Sequence, residues 1–312
     1  MKKLKIGNVE LENNVIFAPI AGYSDVGMRY LAKKYGAGLT FTEMISAKAL
    51  VYGNQKTKDL LATFEGEKPV AVQLFGNDPQ VFGEAVKLEE LQKFDIIDVN
   101  MGCPAPKIFS NNEGSALLLD IPRAVKIVQS LKQNTSKPIS VKFRSGIDQD
   151  HIVAVEFAKA MEKAGADALT IHARTKQQGY SGKADLMIAK EVKEAVQIPV
   201  IVSGDCVDKE SFDNILKVTN ADGVMIARGA FGKPEIFAEV LGKKVKVDKL
   251  DDIKTHIQIL SQFFDERYVV LNMRSHIAHY IKGKKVSAQT KLELMKAETI
   301  EEVLRLLCQI FA

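Results

Sequence analysis

Residues 152–172, IVAVEFAKAMEKAGADALTIH, contain the unit whose repetition decides the fold. Ile152, Val155, Ala158 and Met161 recur at helical spacing, with Lys159 and Glu162 among them. The helical pattern stops at Ala164-Gly165-Ala166-Asp167, where a glycine takes the left-handed C-cap conformation without strain. A short apolar run, 168–172, follows at once and ends on His172. Outward from this unit, apolar runs rich in β-branched residues occupy 15–20, 39–43, 70–75, 96–100, 139–143, 168–172, 200–202 and 223–227. They are short and almost continuously apolar, as strands covered on both faces of a parallel sheet must be. Helix-period segments separate most of them, Ala124, Ile127, Val128 and Leu131 forming one. Eight such alternations predict an α/β fold, a (β/α)8 TIM barrel. An open doubly wound sheet is the alternative. That fold usually places a Gly-rich turn after its first strand, and Ala18-Pro19-Ile20-Ala21-Gly22 is not one.

Past Gly242 the strand pattern ends. Ile253, Ile257, Leu260 and Phe264, then Ile277, Tyr280 and Ile281, then Ile300, Val303, Leu304, Leu307 and Ile310 keep helical spacing. Two domains are expected: a barrel over 1–242 and a small all-α helical bundle over 243–312, joined at Lys243-Lys244-Val245-Lys246. A hairpin is expected around Gly7-Asn8. The 312 residues suffice for one large and one small domain. A composition 46% hydrophobic and 26% charged is that of a soluble globular protein. No apolar segment approaches the ~20 residues that span a bilayer, and the start lacks the apolar core of a signal peptide. Cys103, Cys206 and Cys308 have no metal-type spacing and cannot all pair, so a reducing, cytoplasmic location is expected. His151, His256, His276 and His279 suggest no ligand set either, and no metal is expected.

The net charge is +4, from 43 basic and 39 acidic residues. Residues 243–312 hold 13 of the basic and 9 of the acidic side chains, so the whole excess lies there. This suits a polyanion partner. On charge alone, a solvated helical surface explains it equally well.

Barrel chemistry gathers at the C-terminal mouth, where the loops after the strands converge. Polar residues do cluster at the expected strand ends: Glu43, Gln73, Asn100, Cys103, Lys142, Arg144, His172, Arg174, Ser203-Gly204-Asp205 and Arg228-Gly229. Gln73 and Lys142 interrupt apolar runs, so a ligand is expected to satisfy them. Glu43 suits a structural ion pair as well as a ligand. The loops after the last two strands expose glycine N–H groups beside Arg228, as a phosphate site requires.

At this point one stretch becomes specific: Asp98-Val99-Asn100-Met101-Gly102-Cys103-Pro104. With Ala18-Pro19-Ile20-Ala21-Gly22, Val72-Gln73-Leu74, Val141-Lys142-Phe143-Arg144, Ile171-His172-Ala173-Arg174, Gly179-Tyr180-Ser181-Gly182, Ser203-Gly204-Asp205 and Ala227-Arg228-Gly229, it resembles the flavin-dependent tRNA-dihydrouridine synthases, in particular their bacterial B-type members. The likeness runs from the first strand to the last helix. Three positions depart from the family's usual pattern: Gly27-Met28 for Pro-Phe, Ala227 for Gly and Glu235 for Trp. The resemblance implies an FMN-binding barrel, NADPH as transient reductant and tRNA as partner, in a chain expected to be a monomer. It places Pro19, Ile20 and Ala21 under the flavin ring, Gln73 at its polar edge, Lys142 by its pyrimidine side and His172 at its polar portion. Ser203, Gly204, Asp205, Ala227 and Arg228 take the ribityl chain and phosphate. Asn100, Arg144 and Arg174 would meet the flipped uridine, with a loop-ordering hydrogen bond the alternative for each. In the C-terminal segment Arg274, His276, Lys282, Lys284 and Lys285, with Tyr280 interleaved, form a basic cluster that suits tRNA phosphates or an ordinary basic helix end.

The resemblance also answers why a thiol sits between Gly102 and Pro104. Saturating the 5,6 double bond of uracil takes a hydride at C6, from flavin, and a proton at C5. The acid must hold its proton at neutral pH yet release it readily. A thiol, with an ordinary pKa of about 8.5, meets both conditions, and a carboxylic acid of about 4 does not. Cys103 is therefore the expected proton donor; Cys206 and Cys308 are expected to be structural. Rival readings are an FMN barrel acting on a free pyrimidine, an aldolase-like barrel using the Lys142 amine, and a non-catalytic tRNA-binding protein.

Overall fold

The computed structural model describes residues 3–311; Met1, Lys2 and Ala312, at the ends of the two expected domains, lie outside the described residues. The first strands, β1 (Leu4–Ile6) and β2 (Val9–Leu11), form the antiparallel hairpin expected around Gly7-Asn8. Eight more follow: β3 (Val15–Phe17), β4 (Thr40–Ser46), β5 (Val70–Phe75), β6 (Ile96–Met101), β7 (Ile139–Arg144), β8 (Ala168–His172), β9 (Val200–Ser203) and β10 (Gly223–Ile226). They pair in parallel in the order β3-β10-β9-β8-β7-β6-β5-β4. A parallel bridge from Ile16 to Leu39 joins the two outer strands, and the Phe17 N–H donates to Leu39 O at 2.9 Å. The sheet is thus a closed barrel, and the doubly wound alternative is excluded.

Strand ends differ from expectation where backbone chemistry intervenes. β3 stops at Phe17: Ala18 N–H still bonds Ile226 O, but Pro19 has no N–H for the ladder, and the chain leaves the sheet there. β4 runs past Glu43 to Ser46, with a register shift between Phe41 and Met44. Gly165, at φ 104°, ends the helix Ala154–Ala164 as the sequence indicates.

Strand alternation sorts side chains between two cores. Outward-facing Val70, Val72 and Leu74 of β5, Ile97, Val99 and Met101 of β6, and Val141 and Phe143 of β7 pack under the surrounding helices. Inward-facing Ile16, Ala71, Ile96, Ala168, Ile201 and Met225 fill the barrel with Leu4, Ile6 and Leu11 of the hairpin, which closes its lower end. The same parity sends Asp98 and Asn100 of β6 and Ser140, Lys142 and Arg144 of β7 inward, in register as Asp98 with Ser140 and Asn100 with Lys142. A polar upper layer therefore rests on an apolar lower one.

Four helices, Lys249–Leu260, Glu266–Tyr280, Ala288–Lys296 and Ile300–Phe311, follow the barrel. Their apolar faces form a separate core that also takes in Val26 and Leu31 of the barrel helix Val26–Lys34. No helix among the described residues is long and apolar enough to cross a membrane. Two of the departures noted above find their place at this junction. Glu235 receives Lys249 at 2.7 Å, and Gly27 lies so close to the following helix that a Cβ there would stand 2.3 Å from His256 Cδ2.

Arg29 is buried behind this surface with Glu67, donating to it from Nε at 2.7 Å and Nη2 at 3.1 Å, while Thr40 Oγ1 donates to the same carboxylate at 2.9 Å. Removing the cation alone leaves a sealed, uncompensated carboxylate. Arg29→Met should therefore destabilise the fold by about 3–5 kcal/mol in chemical denaturation. Arg29→Met combined with Glu67→Leu should recover much of that loss; equal loss in the single and double variants would contradict a buried, coupled pair.

Candidate active site

The polar upper layer opens into a cavity of about 650 Å3 at the C-terminal mouth of the barrel. Of the residues singled out in the sequence, Cys103, Pro19, Ile20, Ala21, Lys142, His172, Ser203, Gly204, Asp205, Ala227, Arg228, Asn100 and Arg144 line it. Gln73 and Arg174 lie behind its wall, and Arg274 and Lys282 belong to the C-terminal helices.

Cys103 is half-buried at the cavity wall, whereas Cys206 is buried and Cys308 exposed. Its backbone is held from both sides. Asn100 Oδ1 accepts the N–H groups of Gly102 and Cys103 at 3.1 and 2.9 Å, and Ser115 donates from N and Oγ to Cys103 O at 3.1 and 2.9 Å. Arg144 Nε donates to Gly102 O at 2.9 Å. Asn100 is oriented in turn by Gln73, whose Oε1 accepts from Asn100 Nδ2 at 2.8 Å and whose Nε2 donates to Asp98 at 2.6 Å. Ser140 Oγ donates to the other oxygen of Asp98 at 2.5 Å. Burial pushes the Asp98 carboxyl up to about 7 against those two hydrogen bonds.

Gln73 thus has a protein partner at each end of its amide, Asp98 and Asn100, and keeps its second amide proton. Asp98, at the base of this network, is not among the residues expected from the sequence. Its signal was a carboxylate inside the apolar run Phe94 to Val99, which no sealed barrel tolerates without partners.

The other side of the cavity is cationic. Lys142 has no hydrogen-bond partner among the described residues; burial first, then the neighbouring Arg144, pulls its pKa down to about 8. His172 is held down to about 2 by burial and then by Lys142, Arg144, Arg174 and Arg228, so its ring is neutral. Gly204, at φ 131°, has the backbone expected of a glycine, and a Cβ there would lie 2.9 Å from Ala184 Cβ. The N–H groups of Gly204, Asp205 and Arg228 have no acceptor among the described residues. Such unclaimed donors beside Arg228 suit an anion.

Several expected ligand contacts turn out to hold loops together. Arg174 donates from Nε to Ser181 O and from Nη2 to Gly182 O and to both oxygens of Asp205, at 2.7 and 2.8 Å, while Nη1 meets only His172 Nε2 at 3.4 Å. The Asp205 carboxylate also accepts Ala184 N–H at 2.8 Å; only its backbone N–H is available to an anion. Arg144 bonds three backbone carbonyls, and its Nη2 has no acceptor among the described residues. Tyr180, on the loop after β8, stands 59% exposed at the cavity mouth, its ring 5.1 Å from the Arg228 guanidinium and 5.6 Å from that of Arg144. It was not among the expected site residues, although Gly179-Tyr180-Ser181-Gly182, an aromatic flanked by turn residues, was visible. Glu43 accepts Gly22 N–H at 2.5 Å and forms no ion pair among the described residues.

The basic cluster of the C-terminal helices is smaller than expected. His276 and Tyr280 are buried, on the inward stripe of Glu266–Tyr280 with Val269 and Met273. Arg274 is half-buried and donates to Ala297 O at 3.2 Å. Lys282, Lys284 and Lys285 remain exposed, Lys284 over the Phe311 ring at 4.1 Å. The histidine spacing gave no metal set, yet folding brings His256 and His276 together with Asp25, their ligand atoms within 4.8 Å of one another.

Residues 16–312 match the family described as dihydrouridine synthase. The chain is 37% identical over 296 residues to a probable tRNA-dihydrouridine synthase of Rickettsia bellii, covering 92% of this chain and 91% of that protein. It is 38% identical over 290 residues to tRNA-dihydrouridine synthase B of Pasteurella multocida, covering 90% and 87%. Among solved structures, histamine dehydrogenase from Rhizobium sp. 4-9 has a TM-score of 0.61 at 13% identity, over 89% of this chain and 50% of that one, a likeness of fold. With a match that takes in the strand ends, the thiol loop and the cationic wall described above, this chain belongs to the dihydrouridine synthase family.

Proposed function

We propose that this protein reduces uridine in tRNA to dihydrouridine, with FMN seated in the barrel mouth, NADPH as electron source and Cys103 as proton donor. The observation that carries the reading is that one cavity joins the Cys103 loop to Lys142 and to the N–H groups of Gly204, Asp205 and Arg228, which have no hydrogen-bond partner among the described residues. These residues fit the cofactor: an apolar bed at Pro19, Ile20 and Ala21, a cation beside the ring, and a donor-lined pocket by Arg228 for a phosphate.

When bound, FMN reduced by NADPH would supply the hydride that adds to C6 of the uracil. The chain's own part is to place a proton opposite. Asn100 and Ser115 fix the Cys103 backbone, so that Sγ–H is presented to C5 as charge builds on the base. The S–H bond breaks, a C–H bond forms, and the thiolate regains its proton from water. Neutral His172 adds no competing cation, and Lys142 stabilises negative charge in the cavity. Arg144 Nη2 and the second amide proton of Asn100 remain available to the base. Tyr180 offers a flat face at the mouth for a nucleotide displaced from its stack.

Cys103→Ala should keep FMN and tRNA binding and lose uridine reduction by about 10²–10⁴-fold with saturating NADPH. Unchanged turnover would remove the thiol from the chemistry. Lys142 is an ammonium below about 8 and loses its charge above it. FMN affinity should accordingly fall as pH rises through that value, with the break moved upward by a bound anion. Lys142→Gln should bind FMN about tenfold more weakly at neutral pH and lack the break; a flat wild-type profile would contradict the assignment. Replacing Lys282, Lys284 and Lys285 together by Ala should weaken tRNA binding and lower the magnitude of its salt slope by about three. An unaltered slope would leave these lysines without a role in tRNA binding.

A further inference from the structure

The Asp25 carboxylate is buried where the barrel meets the C-terminal helices, and its partners come from both. On its own side it caps the helix Val26–Lys34, accepting Met28 N–H at 2.9 Å. From the helix Lys249–Leu260 comes His256 Nε2 at 2.9 Å. From Glu266–Tyr280 come Asn272 Nδ2 at 3.1 Å and His276 Nε2 at 2.8 Å, the last off the line of an ideal hydrogen bond. Burial alone would raise the pKa of this carboxyl, but the two histidines hold it well below the usual range. A helix cap needs one acceptor, which a Ser or Asn supplies as well. The further partners, and the glycine at 27 that admits His256, serve another purpose.

That purpose is visible one turn back along the chain. Ile20, on the cavity wall, is locked to residues 23 and 24: its carbonyl accepts Tyr23 N–H at 3.0 Å and Ser24 N–H at 2.9 Å, and its own N–H donates to Ser24 Oγ at 2.9 Å. A movement of Asp25 is therefore carried to the cavity floor through a single closed turn. The Tyr23 ring lies 3.9 Å from Phe231 and 4.2 Å from His276, and its hydroxyl accepts Gly232 N–H at 2.7 Å. The helices thus reach both the floor and the loop after β10. A metal does not explain the cluster. Each Nε2 touches a carboxylate oxygen directly, and neither Nδ1 has the acceptor that orients a metal-bound imidazole.

We propose that Asp25, His256 and His276 are positioning residues for the flavin bed: the buried carboxylate pins the loop carrying Pro19, Ile20 and Ala21 to the C-terminal helices, so that cofactor seating depends on those helices. This rests on the cavity being the flavin site. The test compares apoprotein variants reconstituted with FMN. Asp25→Asn and His276→Gln should each weaken FMN binding by about tenfold and alter the shape of the visible flavin band, at a temperature where circular dichroism reports native helix content. Asp252→Asn is the control. It breaks contacts of Lys34 and Tyr35 across the same helix pair at 2.9 and 2.7 Å without touching the loop. It should lower the melting midpoint and leave FMN affinity unchanged. Wild-type affinity in Asp25→Asn and His276→Gln would overturn the proposal, as would equal weakening in Asp252→Asn, which would mark general loosening. Should Asp25→Asn fail to fold, His276→Gln decides alone. A wild-type protein that binds no FMN would instead sink the flavin reading itself.

Discussion

The two hydrogen bonds into Asn100 Oδ1, from the backbone N–H groups of Gly102 and Cys103, are the contact on which the site depends. They convert a strand end into a fixed turn and decide where the thiol stands. Their geometry is imposed from below, through Gln73 to Asp98 to Ser140, a chain lying inside a barrel that excludes water. Such a network is costly when incomplete and rigid when every member is satisfied. The carboxyl at its base accepts at both oxygens, from Gln73 and Ser140, while burial raises its pKa against those bonds.

Across the cavity the design is the opposite: donors are left without acceptors. Among the described residues Lys142 and the N–H groups of Gly204, Asp205 and Arg228 have no acceptor, while Arg174 and Asp205 pair and hold the surrounding loops. One wall is thus complete in itself, and under the proposed function an anion completes the other. That division of labour is what a bound anionic cofactor facing a fixed acid requires. The C-terminal helices enter the same arrangement through Asp25, which joins their core to the loop under the cavity.

Much of this was legible in the sequence because strand parity is simple. Lys142 lies two residues from Arg144 and Ser140, so once 139–143 is a strand all three face one way, and the barrel makes that way inward. The barrel mouth could then be listed from strand ends alone. Partnership across strands was not legible. An amide in an apolar run such as Gln73 announces its need of a partner, but nothing in its own strand reveals that Asp98 lies opposite in register. His276 and Tyr280 looked basic and interleaved along the chain, although their spacing from Val269 and Met273 already placed them on the buried stripe. The Asp25–His256 contact joins positions 231 residues apart, and no local pattern announces it.

The central claim is the placement of sulfur opposite flavin with room for one base between. A crystal structure of the FMN-loaded protein measures it directly, as the distance from Cys103 Sγ to the isoalloxazine ring. Two near-attack gaps of about 3–3.5 Å put the sulfur roughly 6–7 Å above the ring face. A sulfur turned toward the outer helices, or a ring lying edge-on to it, would contradict the account.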